Sequence, residues 1–245
     1  MTRIELIGVE GLPEVRPGDD LAELIASRSR FEPGDILVVA QKVVSKSEGR
    51  TVDLGSVTVG EEAVRIATDL VAAPDPRMVQ VVLDESVRVL RSQRALITET
   101  RHGFVCANGG VDHSNVPGSD SITLLPLDPD ASARALRGRL RELSGVDVGV
   151  IVSDTFGRPW RLGIVNVALG VAGLPALLDL RGTTDDAGKE LRATVLAVAD
   201  EVAAAAGLVM GKTSRTPAVV VRGLRVEGEG TGRDLIRPAA EDLFR

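Results

Sequence analysis

Val148-Gly149-Val150-Ile151-Val152-Ser153-Asp154-Thr155-Phe156-Gly157-Arg158-Pro159-Trp160-Arg161 joins an apolar run to a polar one. The first five residues predict a buried strand. At its end, the Asp154 carboxylate and the Thr155 hydroxyl are the oxygen ligands that hard divalent cations prefer. Arg158 and Arg161 follow, and guanidinium groups suit phosphate or carboxylate. Oxygen ligands for a cation beside arginines indicate phosphoryl-transfer chemistry.

A second segment of the same character is Asn108-Gly109-Gly110-Val111-Asp112-His113-Ser114-Asn115-Val116. Its glycines allow a sharp backbone turn, and Asp112 lies at the edge of a strand-like run. Alone, Asp112 could simply bond backbone amides in the turn, and Asp154 could be a helix cap. Two such aspartates at two strand ends favour a shared cation site. We interpret His113 as a turn residue.

The composition excludes several functional classes. With 245 residues, 44% of them hydrophobic and only 2% aromatic, the chain predicts a globular protein with an aliphatic core. The lone Cys106 excludes an internal disulfide and a multi-cysteine metal site. A net charge of -6 argues against a nucleic-acid surface. No signal-peptide core or membrane-spanning run is evident, so we expect a cytoplasmic protein without membrane or nucleic-acid partners.

Hydrophobic patterning predicts alternating strands and helices, and therefore a mixed α/β fold. The predicted strands are 4–9, 36–40, 95–99, 103–107, 148–152 and 218–222. The predicted helices are 20–29, 60–70, 74–90, 130–143 and 188–208. There is no internal repeat or linker, so we expect one domain over 1–245. The polar carboxyl end is either a tail or a junction to a second domain after 245.

Two lysine-containing segments are candidates for phosphate binding. Lys42 and Lys46 follow the predicted strand 36–40, although they could equally form a solvated face. Gly211-Lys212-Thr213 resembles the end of a P-loop, but Ala206 stands where that loop needs a glycine. The lysine also follows a predicted helix rather than a strand. The turn can still bind an anion through its backbone amides.

Taken in order, several segments resemble the coenzyme F-420-0:L-glutamate ligase family, the gamma-glutamyl ligases of coenzyme F-420 biosynthesis. The similarity covers nearly the whole chain. The segments that carry it are 9–13, 17–21, 44–50, 110–116, 153–158, 210–212 and 217–224. In detail the sequence is most similar to the actinobacterial form, which in mycobacteria is the amino-terminal domain of a protein with a second, nitroreductase-like domain. The chain stops near where that junction would fall.

The resemblance implies a GTP-dependent ligase that uses Mg²⁺ or Mn²⁺, with K⁺ as a further candidate ion. Such an enzyme adds L-glutamate to the lactyl carboxylate of a deazaflavin precursor, coenzyme F-420-0, and then adds gamma-linked glutamates. A carboxylate is a poor electrophile, so the gamma-phosphoryl group of GTP first converts it to an acyl phosphate, which the amine attacks. The family also implies a two-lobed α/β fold, with a second, smaller lobe, in an intertwined homodimer.

The resemblance also assigns roles to residues. Asp112 and Asp154 match the ligands of one cation, and Thr155 matches a ligand of a second. The residues that match nucleotide contacts are Leu12, Pro13, Glu14, Val15, Gln41, Lys46, Asn115, Met210, Gly211, Lys212, Thr213, Ser214, Arg215, Thr216 and Pro217. Two positions depart from the family pattern. Some relatives have an acidic residue in place of Lys212, and relatives have a small hydroxyl residue in place of Gln41.

Arg158 and Arg161 are our candidates for catalytic groups next to the transferring phosphoryl group or the acidic acceptor. They are three residues apart, so a helical turn would place both side chains on one side. Two other functions stay open. The same aspartates could serve a metal-dependent phosphatase or nucleotidyl transferase, and the chain could be a nucleotide-binding domain without turnover.

Overall fold

The computed structural model describes residues 3–112 and 120–242. The α-helices in these residues are α1 Leu21–Ala26, α2 Gln41–Ser47, α3 Glu61–Asp69, α4 Pro76–Asp84, α5 Pro129–Ser144 and α6 Val198–Met210. The strands are β1 Glu5–Gly8, β2 Ile36–Ala40, β3 Thr51–Asp53, β4 Ser86–Ser92, β5 Leu96–Thr100, β6 Val105–Ala107, β7 Ser121–Thr123, β8 Gly149–Arg158, β9 Arg161–Ala172, β10 Leu178–Asp179, β11 Val195–Leu196 and β12 Ala218–Arg222. The predicted mixed α/β fold is confirmed. None of the helices described is both long and apolar enough to span a bilayer.

A five-stranded sheet in the order β1-β12-β2-β8-β9 forms the centre of the larger unit. Only β2 and β8 are parallel, and the other three pairs are antiparallel. Successive side chains alternate between the two faces, as the pleat requires. Val39 and Val152 pack on the face covered by α1 and α5, while Val38 and Ile151 pack against α6. The result is three layers, with an aliphatic core on each side of the sheet.

Residues between 51 and 124 form a smaller unit with its own core. Helices α3 and α4 pack on the antiparallel sheet β4-β5-β6 and on the β3-β7 ladder. Ile66, Val82 and Ile122 are at the centre of this core, and each is almost fully buried. The smaller lobe implied by the family resemblance therefore has a structural counterpart. Strand β6 lies against β8, so the smaller unit meets the central sheet near Asp154.

Strands β8 and β9 form a long hairpin that extends beyond the body of the sheet. The segment after Asp154 does not form the helical turn that would place Arg158 and Arg161 on one side, because β8 continues to Arg158, which pairs with Arg161 across the turn. Arg158 precedes Pro159, and a residue before proline is restricted to extended conformations. The arm, residues 156–165, exposes large apolar side chains at its tip.

The predicted helix 74–90 is too long. It ends at Asp84, and Ser86–Ser92 forms strand β4 instead. The Ser86 hydroxyl donates to the Val82 carbonyl at 2.6 Å, which helps to close the helix. The following Val-Arg-Val-Leu-Arg run contains two β-branched valines, and pairing with β5 outweighs its weak helix propensity.

The predicted helix 188–208 is wrong over its first ten residues. Only Val198–Met210 is helical, whereas Leu178–Asp179 and Val195–Leu196 form a hairpin. The loop of this hairpin is closed by Asp185, whose carboxylate accepts hydrogen bonds from Ala187 N and Lys189 N. Consequently Leu191 and Val195 lie outside the helix. Residues 41–47, for which the sequence predicts no helix, form helix α2.

Carboxylates satisfy the outward backbone N–H groups of the inner half of edge strand β9. Asp130, which is 5% exposed, accepts from Val171 N at 2.8 Å and from Gly232 N at 2.6 Å. Asp200 accepts from Ala168 N at 2.8 Å, next to a bulge opposite Val152 and Ser153. Burial raises the pKa of Asp200. These bonds anchor α5, α6 and the carboxyl-terminal segment to one strand.

Removing the buried acceptor at Asp130 should therefore destabilise the fold. In Asp130→Ala, two buried N–H groups lose a charged acceptor, and we expect a loss of about 3 kcal/mol in the free energy of unfolding, measured by urea denaturation. Asp185→Ala is the matched control, since Asp185 also accepts two backbone N–H bonds but is exposed. It should cost about 0.5 kcal/mol. Equal losses in the two variants would contradict the role assigned to Asp130.

Candidate active site

The candidate site lies at the carboxyl ends of the two parallel strands. Ala40 of β2 is in register with Ser153 of β8, so the next residues of both strands emerge side by side. Helix α2 starts immediately after Ala40 and presents Lys42, and β8 continues into Asp154. This is the edge at which parallel α/β sheets commonly bind ligands.

The segment before Asp112 is a tight turn that needs its glycines. Asn108, Gly109 and Gly110 all have positive φ, of 53°, 57° and 71°. A Cβ atom on Gly110 would lie 2.7 Å from the Leu125 side chain, so no larger residue fits. Asp112 then exchanges two backbone hydrogen bonds with Thr123, of 3.0 and 2.8 Å. The turn and this bridge fix the backbone that carries the Asp112 carboxylate.

Two carboxylates and two ammonium groups meet in this site. Lys42 Nζ lies 2.7 Å from Asp112 Oδ2. The ammonium group of Lys212 donates to the Thr155 hydroxyl. The half-buried Asp154 carboxyl feels the charges of Asp112, Lys212 and Lys42. Residues distant in sequence therefore form one polar cluster at the junction of the two units.

Burial is the main reason why the Asp154 pKa rises to about 6. A hydrogen bond from the Thr155 backbone opposes this increase, the Asp112 charge adds to it, and Lys212 and Lys42 oppose it. The Asp154 charge in turn adds to the effect of burial on the Cys106 thiol, whose pKa rises to about 12. Additional positive charge near Asp154 would lower its pKa again and favour the ionised carboxylate.

The residue types here suit a hard cation bound together with phosphate. Among residues 3–112 and 120–242, no three acidic, histidine or cysteine side chains are grouped closely enough to enclose a metal by themselves. Mg²⁺ is commonly held by one or two carboxylates plus substrate phosphates, and Asp112 with Asp154 supply that number. The Asp112 carboxylate already contacts the Lys42 ammonium group, and Lys212 and Lys42 both act on the charge of Asp154, so the position favours positive charge.

The segments predicted to contact the nucleotide converge on the same edge. Lys46 of α2 is almost buried and forms an ion pair with Glu14, in the loop between β1 and α1. The Ala40 N–H donates to the Pro217 carbonyl at 2.8 Å, which holds the loop Met210–Pro217 against β2. In the same loop, Gly211 and Arg215 have φ of 54° and 55°, which gives a sharply turned backbone.

Individual members of the predicted set differ in their surroundings. Val15 is 4% exposed and belongs to the core. Gln41 is 1% exposed, and its Oε1 accepts from Ser45 Oγ at 2.7 Å. Its Nε2 has no hydrogen-bond acceptor among the described residues. Asn115 and His113 lie outside the described residues.

The structure does not place Arg158 and Arg161 in this cluster. Both are exposed at the tip of the β8-β9 hairpin, and Arg158 Nη2 donates to the Leu162 carbonyl at 2.9 Å. Arg158 lies four positions beyond Asp154 along the strand, which corresponds to roughly 13 Å. Their catalytic role stays a prediction.

Lys42 was assigned only to a phosphate-binding loop, although it contacts the predicted metal ligand Asp112 directly. The composition of the chain contains an indication of this role for Lys42. Only four of the 29 basic residues are lysines, namely Lys42, Lys46, Lys189 and Lys212. Lys42 and Lys212 lie in the cluster, and Lys46 lies in the same helix as Lys42. In a chain that otherwise uses arginine, lysine marks the places where a compact positive charge is needed.

The raised pKa of Asp154 predicts how stability depends on pH in metal-free protein. Between pH 3.8 and about 6, the folded protein keeps a proton that the unfolded chain releases, so this group's stabilising contribution is lost as the pH rises through about 6. Asp154→Asn mimics the protonated form and avoids this loss. We expect it to match the parent near pH 3.5 and to exceed it by about 1–2 kcal/mol at pH 7.5.

Chemical denaturation in the presence of a chelator measures this difference. Asp185→Asn provides the control for a carboxylate-to-amide change in an exposed turn. If Asp154→Asn is no more stable than the parent at pH 7.5, the charge of Asp154 does not destabilise the folded protein.

Known proteins are similar in sequence to this chain over most of its length. The family model described as F420-0:Gamma-glutamyl ligase matches residues 11–223. Proteins named Coenzyme F420:L-glutamate ligase are 49% identical in Methanopyrus kandleri, 48% in Archaeoglobus fulgidus and 45% in Methanocaldococcus jannaschii. Each alignment covers 99% of this chain and 97% of the relative. These relatives are archaeal, so similarity to the actinobacterial form stays a prediction. With a matching segment that contains both aspartates and all four lysines, the chain belongs to the F420-0:gamma-glutamyl ligase family.

Proposed function

We propose that this protein is a GTP-dependent ligase that joins L-glutamate to coenzyme F420-0 and then adds gamma-linked glutamates. The observation that carries the proposal is the cluster at the ends of β2 and β8, where Asp112 and Asp154 meet Lys42 and Lys212. The names of the relatives support the choice of acceptor and amino acid. The acidic acceptor and the nucleotide are both anions, and the lysines supply the charge that binds anions.

The proposed reaction has two steps. An acceptor carboxylate oxygen attacks the gamma phosphorus of GTP, GDP leaves, and an acyl phosphate forms. The glutamate amine then attacks the acyl carbon, loses a proton and expels phosphate. Both steps concentrate negative charge on phosphate oxygens, and fixed positive groups stabilise that charge most effectively.

The chain's own residues have distinct parts in this scheme. Asp112 and Asp154 would hold Mg²⁺ or Mn²⁺, which when bound neutralises phosphate oxygens. Lys46, held by Glu14, lies beside the nucleotide loops and would contact a phosphate. The sharply turned loop 210–217 would present backbone N–H groups to the nucleotide. A phosphatase would use the same aspartates, and a binding domain would use only the loops.

Release of GDP under four conditions distinguishes these functions. The purified protein is incubated with GTP and Mg²⁺, with and without the deazaflavin acceptor and with and without L-glutamate, and the acceptor is examined by mass spectrometry. A ligase produces glutamylated acceptor only when both are present. GDP release without the acceptor and without L-glutamate identifies a phosphatase. If no GDP is released under any condition, the protein is a nucleotide-binding domain without turnover.

Asp112→Asn and Asp154→Asn should each abolish ligation while the fold persists. The amide keeps the shape of the side chain but lacks the charge that holds the cation. We expect the ligation rate to fall on the order of 100-fold or more, because mutation of residues that only hydrogen-bond to metal ligands already costs about 10–100-fold in activity or metal affinity. Circular dichroism checks the fold, and Asp185→Asn is the control. Near-normal turnover in either variant would remove that aspartate from the site.

We further propose that two copies of the chain associate through the β8-β9 arm. Leu162 is 99% exposed, Trp160 71% and Ile164 59%. Large apolar side chains grouped at the tip of a projecting hairpin are typical of an interface. Tip residues Arg158 and Arg161 would then lie close to the partner.

Leu162→Glu should weaken this association, because it places a charge in the buried interface. Light scattering coupled to gel filtration is expected to give twice the 25.8 kDa chain mass for the parent and a large monomer fraction for the variant. Val71→Glu is the control, since Val71 is 84% exposed in the smaller unit. A parent that runs as a monomer at micromolar concentration would refute the proposal.

A further inference from the structure

We propose that the ammonium group of Lys212 takes the place of the second cation predicted at Thr155, so that each active site operates with one divalent cation. The inference rests on the proposed ligase function and concerns how that site is charged. It differs from the two-cation arrangement expected for Thr155 from the family resemblance.

The first observation is the contact itself. Lys212 lies 57 positions beyond Thr155 in the sequence, yet its ammonium group donates to the Thr155 hydroxyl. That hydroxyl oxygen is the atom expected to bind the second ion. An ammonium group has three hydrogen-bond donors and no acceptor. It therefore occupies the position as a cation would, and it cannot serve as a metal ligand.

The second observation is that the hydrogen-bond partner of Lys212 is neutral. Among the described residues, no carboxylate forms an ion pair with Lys212, and its hydrogen-bond partner is a neutral hydroxyl. Lys42 differs, because it pairs with the Asp112 carboxylate, which can exchange an ammonium ion for a metal. A divalent ion at Thr155 would meet the positive charge of Lys212, and the nearby Asp154 carboxylate, which also feels Lys212, is the one assigned to the first cation.

The third observation is that the backbone holds Lys212 in place. Gly211 ends α6 with φ 54° and ψ -165°, a conformation that side chains disfavour. Ser214 Oγ donates to the Met210 carbonyl, and the Pro217 carbonyl accepts from Ala40 N, so both ends of the loop are tied to the fold. A lysine held in this way needs no rearrangement to face the nucleotide phosphates.

One ammonium group and one divalent ion together supply three positive charges at the transferring phosphoryl group. The ammonium group is covalently attached, so its presence does not depend on the metal concentration. It also directs three hydrogen-bond donors toward phosphate oxygens, as point-charge lysines do in other phosphate sites.

Counting bound Mn²⁺ tests the inference. Protein saturated with GDP is titrated with Mn²⁺, and the free ion is followed by its electron paramagnetic resonance signal, with a protein-free GDP sample as the blank. The parent is expected to bind one Mn²⁺ per chain. Lys212→Glu removes the ammonium group and adds a carboxylate next to Thr155, so it is expected to bind two. Lys189→Glu makes the same change in the exposed loop of the β10-β11 hairpin and should bind one.

Two Mn²⁺ in the parent, or one in both the parent and Lys212→Glu, would overturn the inference. If Lys212→Glu fails to fold, Lys212→Gln serves instead, because its neutral amide oxygen should also admit a second, weaker ion. The GDP-release assay separates the two proposals. A parent that ligates glutamate and binds two Mn²⁺ keeps its function and loses only the single-cation inference, whereas a parent that ligates nothing under any condition loses the function itself.

Discussion

Parallel pairing of β2 with β8 is the constraint on which the site depends. Because the two strands run in the same direction and in register from Ile36 with Gly149 to Ala40 with Ser153, their carboxyl ends stop at one level. Lys42 and Asp154 follow from these strands directly, and the loop that carries Lys212 is hydrogen-bonded to β2. The strands are buried on both faces, so the burial that stabilises the sheet also fixes where its ends lie.

The site balances charge in a place where charge is costly. Asp154 is disfavoured as an anion by its surroundings, and Lys42 and Lys212 partly compensate for this. Neighbouring positive charge makes the carboxylate easier to ionise, and a second carboxylate makes it harder. Under the proposed function, such a site would bind a cation and an anion together more readily than either alone, because each offsets the charge of the other.

The sequence predicts the strands of the core well because their signal is local. Ile36–Ala40 and Ala218–Arg222 are continuous apolar runs between turns, and the structure has strands at exactly those residues. Prediction failed where pairing with a distant segment decides the outcome. Val87 and Val89 become strand because β5 is beside them, and Val195 pairs with Asp179 instead of continuing a helix.

The same distinction holds in the site. The aspartates were predicted from their positions at strand ends, and the structure brings Asp112 and Asp154 within electrostatic reach of each other. The contact of Lys212 with Thr155 could not be predicted from spacing, because it depends on where α6 ends and how the following loop returns to β2. Composition offered the missing signal, since the lysines are few.

The carboxylates along β9 also bear on how this protein avoids unwanted assembly. Asp130, Asp200 and Glu229 already occupy the N–H groups of Val171, Ala168 and Gly173 that an added strand would need. A foreign strand approaching the inner half of this edge would meet negative side chains and no free donors at these positions. The sheet is thereby closed to extension at its base, and any growth by strand addition is directed to the outer half of β9.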